Sequence, residues 1–195
     1  ISLFSHAENG AVLEFSQTNI SNKIEFLQLP SEHRQDLYDN QTALPKLPDL
    51  LSILTASSAD SSLVNTFSVK HYPKAPVVWL RVDLKETFDK LRAFEQLESV
   101  PVWHFNFSRM RGDHRLRLFQ VIKTDDEGQK LKELSESDNG RDSLFQIDDL
   151  THSEFYIRAY HFQGRFNFPV FIYEQKDLVR SSLIDSVILA VIVGF

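Results

Sequence analysis

The side chains most open to chemistry in this chain are seven histidines and a scatter of carboxylates. His6, His33, His71, His104, His114, His152 and His161 stand singly, without the close His or Cys spacing by which a short segment holds a metal ion. Asp149 and His152 are near each other in sequence. With a serine supplied by folding they would make a nucleophile, base and orienting acid, although no local signature marks such a site. The sequence has no Gly-x-Ser-x-Gly elbow, His-Glu-x-x-His pair, phosphate-binding Walker loop or dinucleotide fingerprint. Only 6 glycines are present, too few for generous phosphate-cradling loops. The carboxylates Asp125, Asp126, Glu127, Asp148 and Asp149 lack EF-hand spacing and read as helix-start and loop residues. His104 and His161 fall in apolar runs, where the ordinary expectation is a half-buried histidine satisfied by a neighbour. The expectation is therefore no catalytic, cofactor-binding or metal residues, and no enzyme.

Two surface chemistries remain. Asn19-Ile20-Ser21, Asn40-Gln41-Thr42 and Asn106-Phe107-Ser108 are sequons, so Asn19, Asn40 and Asn106 are candidate glycan acceptors in a secreted or extracellular setting. Arg111-Gly112-Asp113 is the tripeptide that integrins recognise in exposed loops. Its plain alternative is a turn in which Gly112 supplies a positive φ.

Composition bounds the partners. The net charge is -6, and no Lys/Arg cluster is present to neutralise a row of phosphates, so nucleic acid is excluded as a natural partner. With 195 residues, 42% hydrophobic content and 16 Phe, the chain can fill one compact domain. Cysteine is absent, which removes disulfides and thiolate chemistry without excluding an extracellular address.

The elements that must position these residues are mostly strands. Apolar runs at 11–15 and 24–29 predict two strands joined by the polar turn "SQTNISNK", followed by a short helix with Ser31 as N-cap and another at 49–56. "LVNTFSVKHY" and "PVVWLRV" predict strands set off by Pro73 and Pro76. "DLKETFDKLRAFEQL" predicts a helix N-capped by Asp83 with Glu86 as its capping-box partner, and with Leu84, Phe88, Leu91 and Phe94 or Leu97 on one face. "VPVWHFNFSRM" and "HRLRLFQVIK" predict a hairpin turning at 110–114. "DDEGQKLKELSES" predicts a second amphipathic helix, and "LFQI", "EFYIRAYHF" and "NFPVFIYE" predict the closing strands. The fold class is α+β: a mainly antiparallel sheet with a few packed amphipathic helices in one compact domain.

Residues 183–195 are apolar apart from Asp185, yet shorter than the roughly 20 residues that a membrane-spanning helix takes. A buried terminal element, a lipid-anchor signal and the first turns of a membrane helix all fit that length. The chain begins at Ile1 without an initiator Met and reads as an excised middle piece.

The order of pieces resembles the C-terminal extracellular domain, or cap, of Piezo mechanosensitive cation channels, over most of the chain. "AVLEFSQTNISN" resembles the cap's early strand and turn, and "VVWLRVDLKETFDKLRAF" its tryptophan-bearing strand leading into a helix. "VPVWHFNFSRM" resembles the next strand, "FYIRAYHFQG" the Tyr-Ile-Arg-Ala stretch, and "VFIYEQKDLVRSSL" the exit toward the inner pore helix. The acidic run that vertebrate members carry after Tyr-Ile-Arg-Ala is replaced here by "RFNFPVF", so the resemblance assigns no permeation residue.

The resemblance implies that residues 1–180 form an extracellular α+β cap at the plasma membrane and that 181–195 begin a transmembrane helix. It further implies a homotrimer above a cation-conducting pore, gated by membrane tension, whose partners are the other copies, the transmembrane parts of the same chain and passing cations. The alternative is an adhesion or ligand-binding ectodomain of a single-span receptor, in which Arg111, Gly112 and Asp113 would matter. A hydrolase is the further alternative.

Overall fold

A computed structural model describes residues 17–38, 43–60, 77–92, 102–107, 115–124, 128–138, 143–160 and 170–174. In chain order the strands and helices are β1 (Gln17–Asn19), β2 (Ile24–Gln28), α1 (Arg34–Tyr38), α2 (Leu47–Ala56), β3 (Ser58–Asp60), β4 (Val77–Asp83), α3 (Lys85–Arg92), β5 (Trp103–Phe107), β6 (Arg115–Thr124), β7 (Gly128–Glu133), β8 (Glu136–Asp138), β9 (Ser143–Ile147), β10 (Glu154–Tyr160) and β11 (Val170–Glu174). All the strand pairs are antiparallel. They form one sheet in the order β1-β11-β5-β9-β8 and a second in the order β3-β2-β4-β10-β6-β7. The α+β, mainly antiparallel architecture is as the sequence predicts, with the strands divided between two sheets.

Side-chain alternation explains the layers. Phe26, Val78, Leu80, Val82, Leu116, Leu118, Phe155 and Ile157 of the second sheet share a core with Trp103, Phe105, Phe107, Phe145, Ile147, Val170 and Ile172 of the first. Odd-numbered partners on β4 and their neighbours face the other way: Val77, Trp79, Phe119, Val121, Leu131 and Tyr156 pack with Leu37 of α1 and Leu50, Leu51 and Leu54 of α2. The second sheet is thus covered on both faces, which is why "VVWL" is a continuous apolar run rather than an alternating one. Leu84, Phe88 and Leu91 of the α3 segment join the inter-sheet core, as their spacing predicts.

Several expectations need correction. "DDEGQKLKELSES" is not a helix: its described part forms β7 and β8. Leu131 and Leu134 are three apart, which a helix would place on one face. In the extended chain they point to opposite sides, Leu131 under the helices and Leu134 between the sheets. Gly128, at φ 75°, begins β7 in a backbone conformation that glycine adopts readily, and the lysines along β7 suit an edge strand, where charge discourages pairing with other chains.

The hairpin about 110–114 is also corrected, because β5 and β6 belong to different sheets and do not pair. The polar stretch read as a turn contains strand β1. Ser31 begins a single 3-10 turn whose N-cap is Pro30, and α1 follows it. At α3 the Asp83 carboxylate accepts the Lys85 N–H at 2.9 Å, but Glu86 pairs with Lys23 across 3.1 Å instead of closing a capping box. The expected strands at 11–15 and in "LVNTFSVKHY" lie outside the described residues, as does the segment 181–195. No helix among the described residues is long and apolar enough to cross a membrane.

Candidate functional site

The register brings entry and exit together. β1 and β11 pair with Gln17 opposite Tyr173 and Asn19 opposite Phe171, so among the described residues the start of β1 lies beside the end of β11 at Glu174. In the same sheet Glu174 is opposite Trp103, and Trp103 is opposite Ile147. The connection 148–153, which follows Ile147 and leads into the second sheet, therefore lies at this same end. Phe107 and Arg115, the described residues flanking Arg111-Gly112-Asp113, lie at the other end of their strands: Phe107 is opposite Val170 and Arg115 opposite Tyr160. The tripeptide itself is outside the described residues.

Connection 148–153 is the most densely bonded polar feature among the described residues. Asp149 Oδ1 accepts the Thr151 N–H at 2.7 Å and the Thr151 hydroxyl at 2.6 Å. Asp149 Oδ2 lies 2.7 Å from His152 Nδ1. His152 Nε2 lies 2.8 Å from the Lys123 backbone nitrogen; because that N–H can only donate, Nε2 accepts and the ring proton sits on Nδ1, facing Asp149. Burial alone would raise the Asp149 pKa, but the Thr151 hydroxyl and N–H together with His152 outweigh it and hold the carboxyl below its ordinary range.

Among the described residues, the sequence constellation of a Ser with His152 and Asp149 is thus met in two of its members only. The nitrogen that would act as general base is occupied by a main-chain N–H of β6, and the neighbouring Ser153 hydroxyl donates to Asp83 at 2.8 Å. What the arrangement does is fasten. Gln120, buried in β6, donates through Nε2 to the carbonyls of Asp149 and His152 at 2.7 and 2.8 Å. The Leu84 N–H donates to the Ser153 carbonyl at 2.9 Å, and Lys132 pairs with Asp148 at 2.7 Å. One sheet-to-sheet connection is tied to β4, to Leu84 just before α3, to β6 and to β7. Gln120 and the Asp83–Ser153 bond had no signal in the sequence, because the partners are brought together only by the crossover between sheets.

His104 is on β5 with 9% of its surface exposed, and its Nδ1 is buried without a hydrogen-bond partner. The expected satisfied histidine is therefore only partly realised, and burial lowers its pKa. Worked through, the folded state binds the His104 proton less readily than the unfolded chain does. Its contribution is present above the ordinary 6.5 and declines as pH falls from there toward the lowered folded value. Asp149, also lowered, loses its contribution further down, below the ordinary 3.8 and through its folded value. Urea midpoints measured against pH are expected to fall on acidification, and His104→Phe is expected to flatten the upper part of that fall while leaving the lower part in place.

The sequons separate by burial. Asn106 is 3% exposed in β5, between β11 and β9, where a glycan is incompatible with the fold. Asn19 is exposed on the edge strand β1. Asn40 lies outside the described residues. In a secretory host, Asn19→Gln is expected to remove a glycosidase-sensitive mobility shift that Asn106→Gln leaves unchanged; a shift lost on altering Asn106 would contradict the burial assignment. His33 lies in the 3-10 turn before α1, while His6, His71, His114 and His161 and the acidic run 125–127 lie outside the described residues. No group of three or more metal-ligating side chains occurs among the described residues. Comparison with protein-family models, with curated proteins and with solved structures finds no match.

Proposed function

We propose that this chain is the extracellular cap domain of a trimeric, mechanically activated, non-selective cation channel, without catalytic activity of its own. The observation that carries the reading is the pairing of entry and exit strands, Gln17 opposite Tyr173. A domain with this geometry can be inserted between two consecutive membrane helices without separating them, and any displacement of those helices reaches the domain at one edge. The fastened connection 148–153 at the same end supports the reading, because it makes the two sheets respond together to load delivered there. The passage from β4 into α3 is also the strand-to-helix order that the resemblance to Piezo caps implies. Gating through such a module requires contacts that differ between open and closed pores, so the cap acts by biasing that equilibrium.

The address and assembly are tested on the full-length parent. An epitope at 110–114 is expected to bind antibody on unpermeabilised cells, and the detergent-solubilised protein is expected to contain three copies. A cytosolic epitope or a single-copy particle would contradict the proposal.

The receptor-ectodomain alternative is favoured by one observation, that the strands flanking Arg111-Gly112-Asp113 end on the side away from the tethers. It predicts integrin-dependent cell attachment to the purified domain, abolished by Asp113→Glu.

A further inference from the structure

We propose that a single buried water molecule ties the two sheets together, accepting the indole N–H of Trp103 and donating to the side-chain carbonyl of Gln120. The inference stands on the packing of the core and does not depend on the channel reading.

Two buried groups of opposite character motivate it. Trp103 Nε1 and Gln120 Oε1 are buried and have no hydrogen-bond partner among the described residues, whereas nearly all buried polar atoms are satisfied by protein or by ordered water. The indole can only donate, and the amide oxygen can only accept. Neither group can be satisfied by turning. The Gln120 amide is fixed because its Nε2 donates to the Asp149 and His152 carbonyls at 2.7 and 2.8 Å; reversing it would set Oε1 against both oxygens. Trp103 is 4% exposed and packed in the inter-sheet core, so its N–H cannot swing out to solvent.

The register places both groups at one end of that core. Gln120 on β6 is opposite Phe155 on β10, whose ring meets Phe105 of the other sheet at 4.8 Å. Trp103 is two residues before Phe105 on β5 and so shares its core-facing side. Trp103 is also opposite Ile147, the last residue before the connection whose Asp149 carbonyl Gln120 holds. The two groups thus belong to the same end of the core, on opposite sheets, without bonding each other directly. Polar groups held beyond direct reach are commonly bridged by water.

The pair also selects its ligand. A cation would be repelled by the indole N–H, an anion by the amide oxygen, and an apolar guest would leave both groups unpaired. A small neutral molecule with a hydrogen to give and a lone pair to receive suits both, and water is the smallest such molecule. Its effect is to add a link from β5 to β6 beside the fastened connection 148–153.

The test is NMR of the whole 195-residue chain with isotope-labelled tryptophan. The sequence has 2 Trp, and Trp79 is the internal control, since its indole N–H donates to the Leu37 carbonyl at 3.0 Å. A cross-peak from water to the Trp103 indole proton is expected, with the sign of a long-lived bound molecule, and none to that of Trp79. Gln120→Met removes the amide and keeps an unbranched side chain; it is expected to abolish the Trp103 cross-peak while the Trp79 signal, which reports the folded state, stays in place. Should that variant fail to fold, neutron diffraction from crystals of the unaltered chain is expected to show one water within hydrogen-bond distance of both atoms. No cross-peak at Trp103, a cross-peak that survives Gln120→Met, or a water bonded to only one of the two atoms would overturn the bridge.

Discussion

Phe155→Ala is expected to lower the unfolding free energy by about 3–5 kcal/mol, with a lower urea midpoint and an unchanged slope. Phe155 is fully buried on β10 and stands where three elements meet. Its ring meets Phe105 of the opposite sheet edge-on at 4.8 Å, and Phe88 of α3 edge-on at 5.8 Å. Truncation removes both aromatic contacts and leaves a cavity whose walls belong to two sheets and a helix, so no single element can move to fill it. Phe155→Leu keeps most of the volume and is expected to cost much less, which separates cavity formation from loss of ring geometry. A Phe155→Ala midpoint equal to that of the unaltered protein would mean that the inter-sheet core is not packed as described.

Trp79→Ala is expected to be of similar size, about 3–5 kcal/mol, for a different reason. Trp79 is the anchor of the helical layer. Its indole N–H donates to the Leu37 carbonyl of α1 at 3.0 Å, its ring stacks on Phe119 at 5.9 Å, and the buried Arg158 guanidinium lies 5.8 Å from its centroid. Alanine removes the large apolar surface, the aromatic face offered to a cation and the donor at the end of α1. Trp79→Phe isolates the last of these, since a ring remains but the Leu37 carbonyl loses its partner, at an expected cost of about 1–3 kcal/mol. Hydrogen exchange is expected to show α1 opening in Trp79→Phe while β10 stays protected. Uniform loss of protection in both elements would contradict a local role for this bond.

The sequence made some of this legible and hid the rest for identifiable reasons. The α3 face was readable because Leu84, Phe88 and Leu91 repeat at helical spacing and all three reach the same core. β4 and β10 were readable as strands from their β-branched and aromatic runs. What could not be read was the division of strands between two sheets. β5 and β6 look like a hairpin because they are consecutive and apolar, but β5 takes its register from distant β11 and β9, and β6 from distant β10 and from β7, the strand that follows it. β7 was misread because a spacing of three suits a helix face as well as the two sides of a strand. At the candidate site, His152 and Asp149 were visible as a pair, whereas the Lys123 N–H that occupies the imidazole nitrogen comes from another strand and has no sequence signature. The closeness of Gln17 and Tyr173, on which the functional proposal rests, is likewise a product of long-range pairing.

The central claim is that the domain couples membrane tension to a pore. It is tested most directly by stretch-evoked current in cell-attached patches, comparing the intact full-length parent with a version in which residues 17–174 are replaced by a flexible linker, both verified at the cell surface. The account predicts a tension-activated cation current from the intact protein and loss of that response in the replacement. An intact, surface-expressed parent without stretch current, or a replacement that responds to tension as the intact protein does, would contradict it.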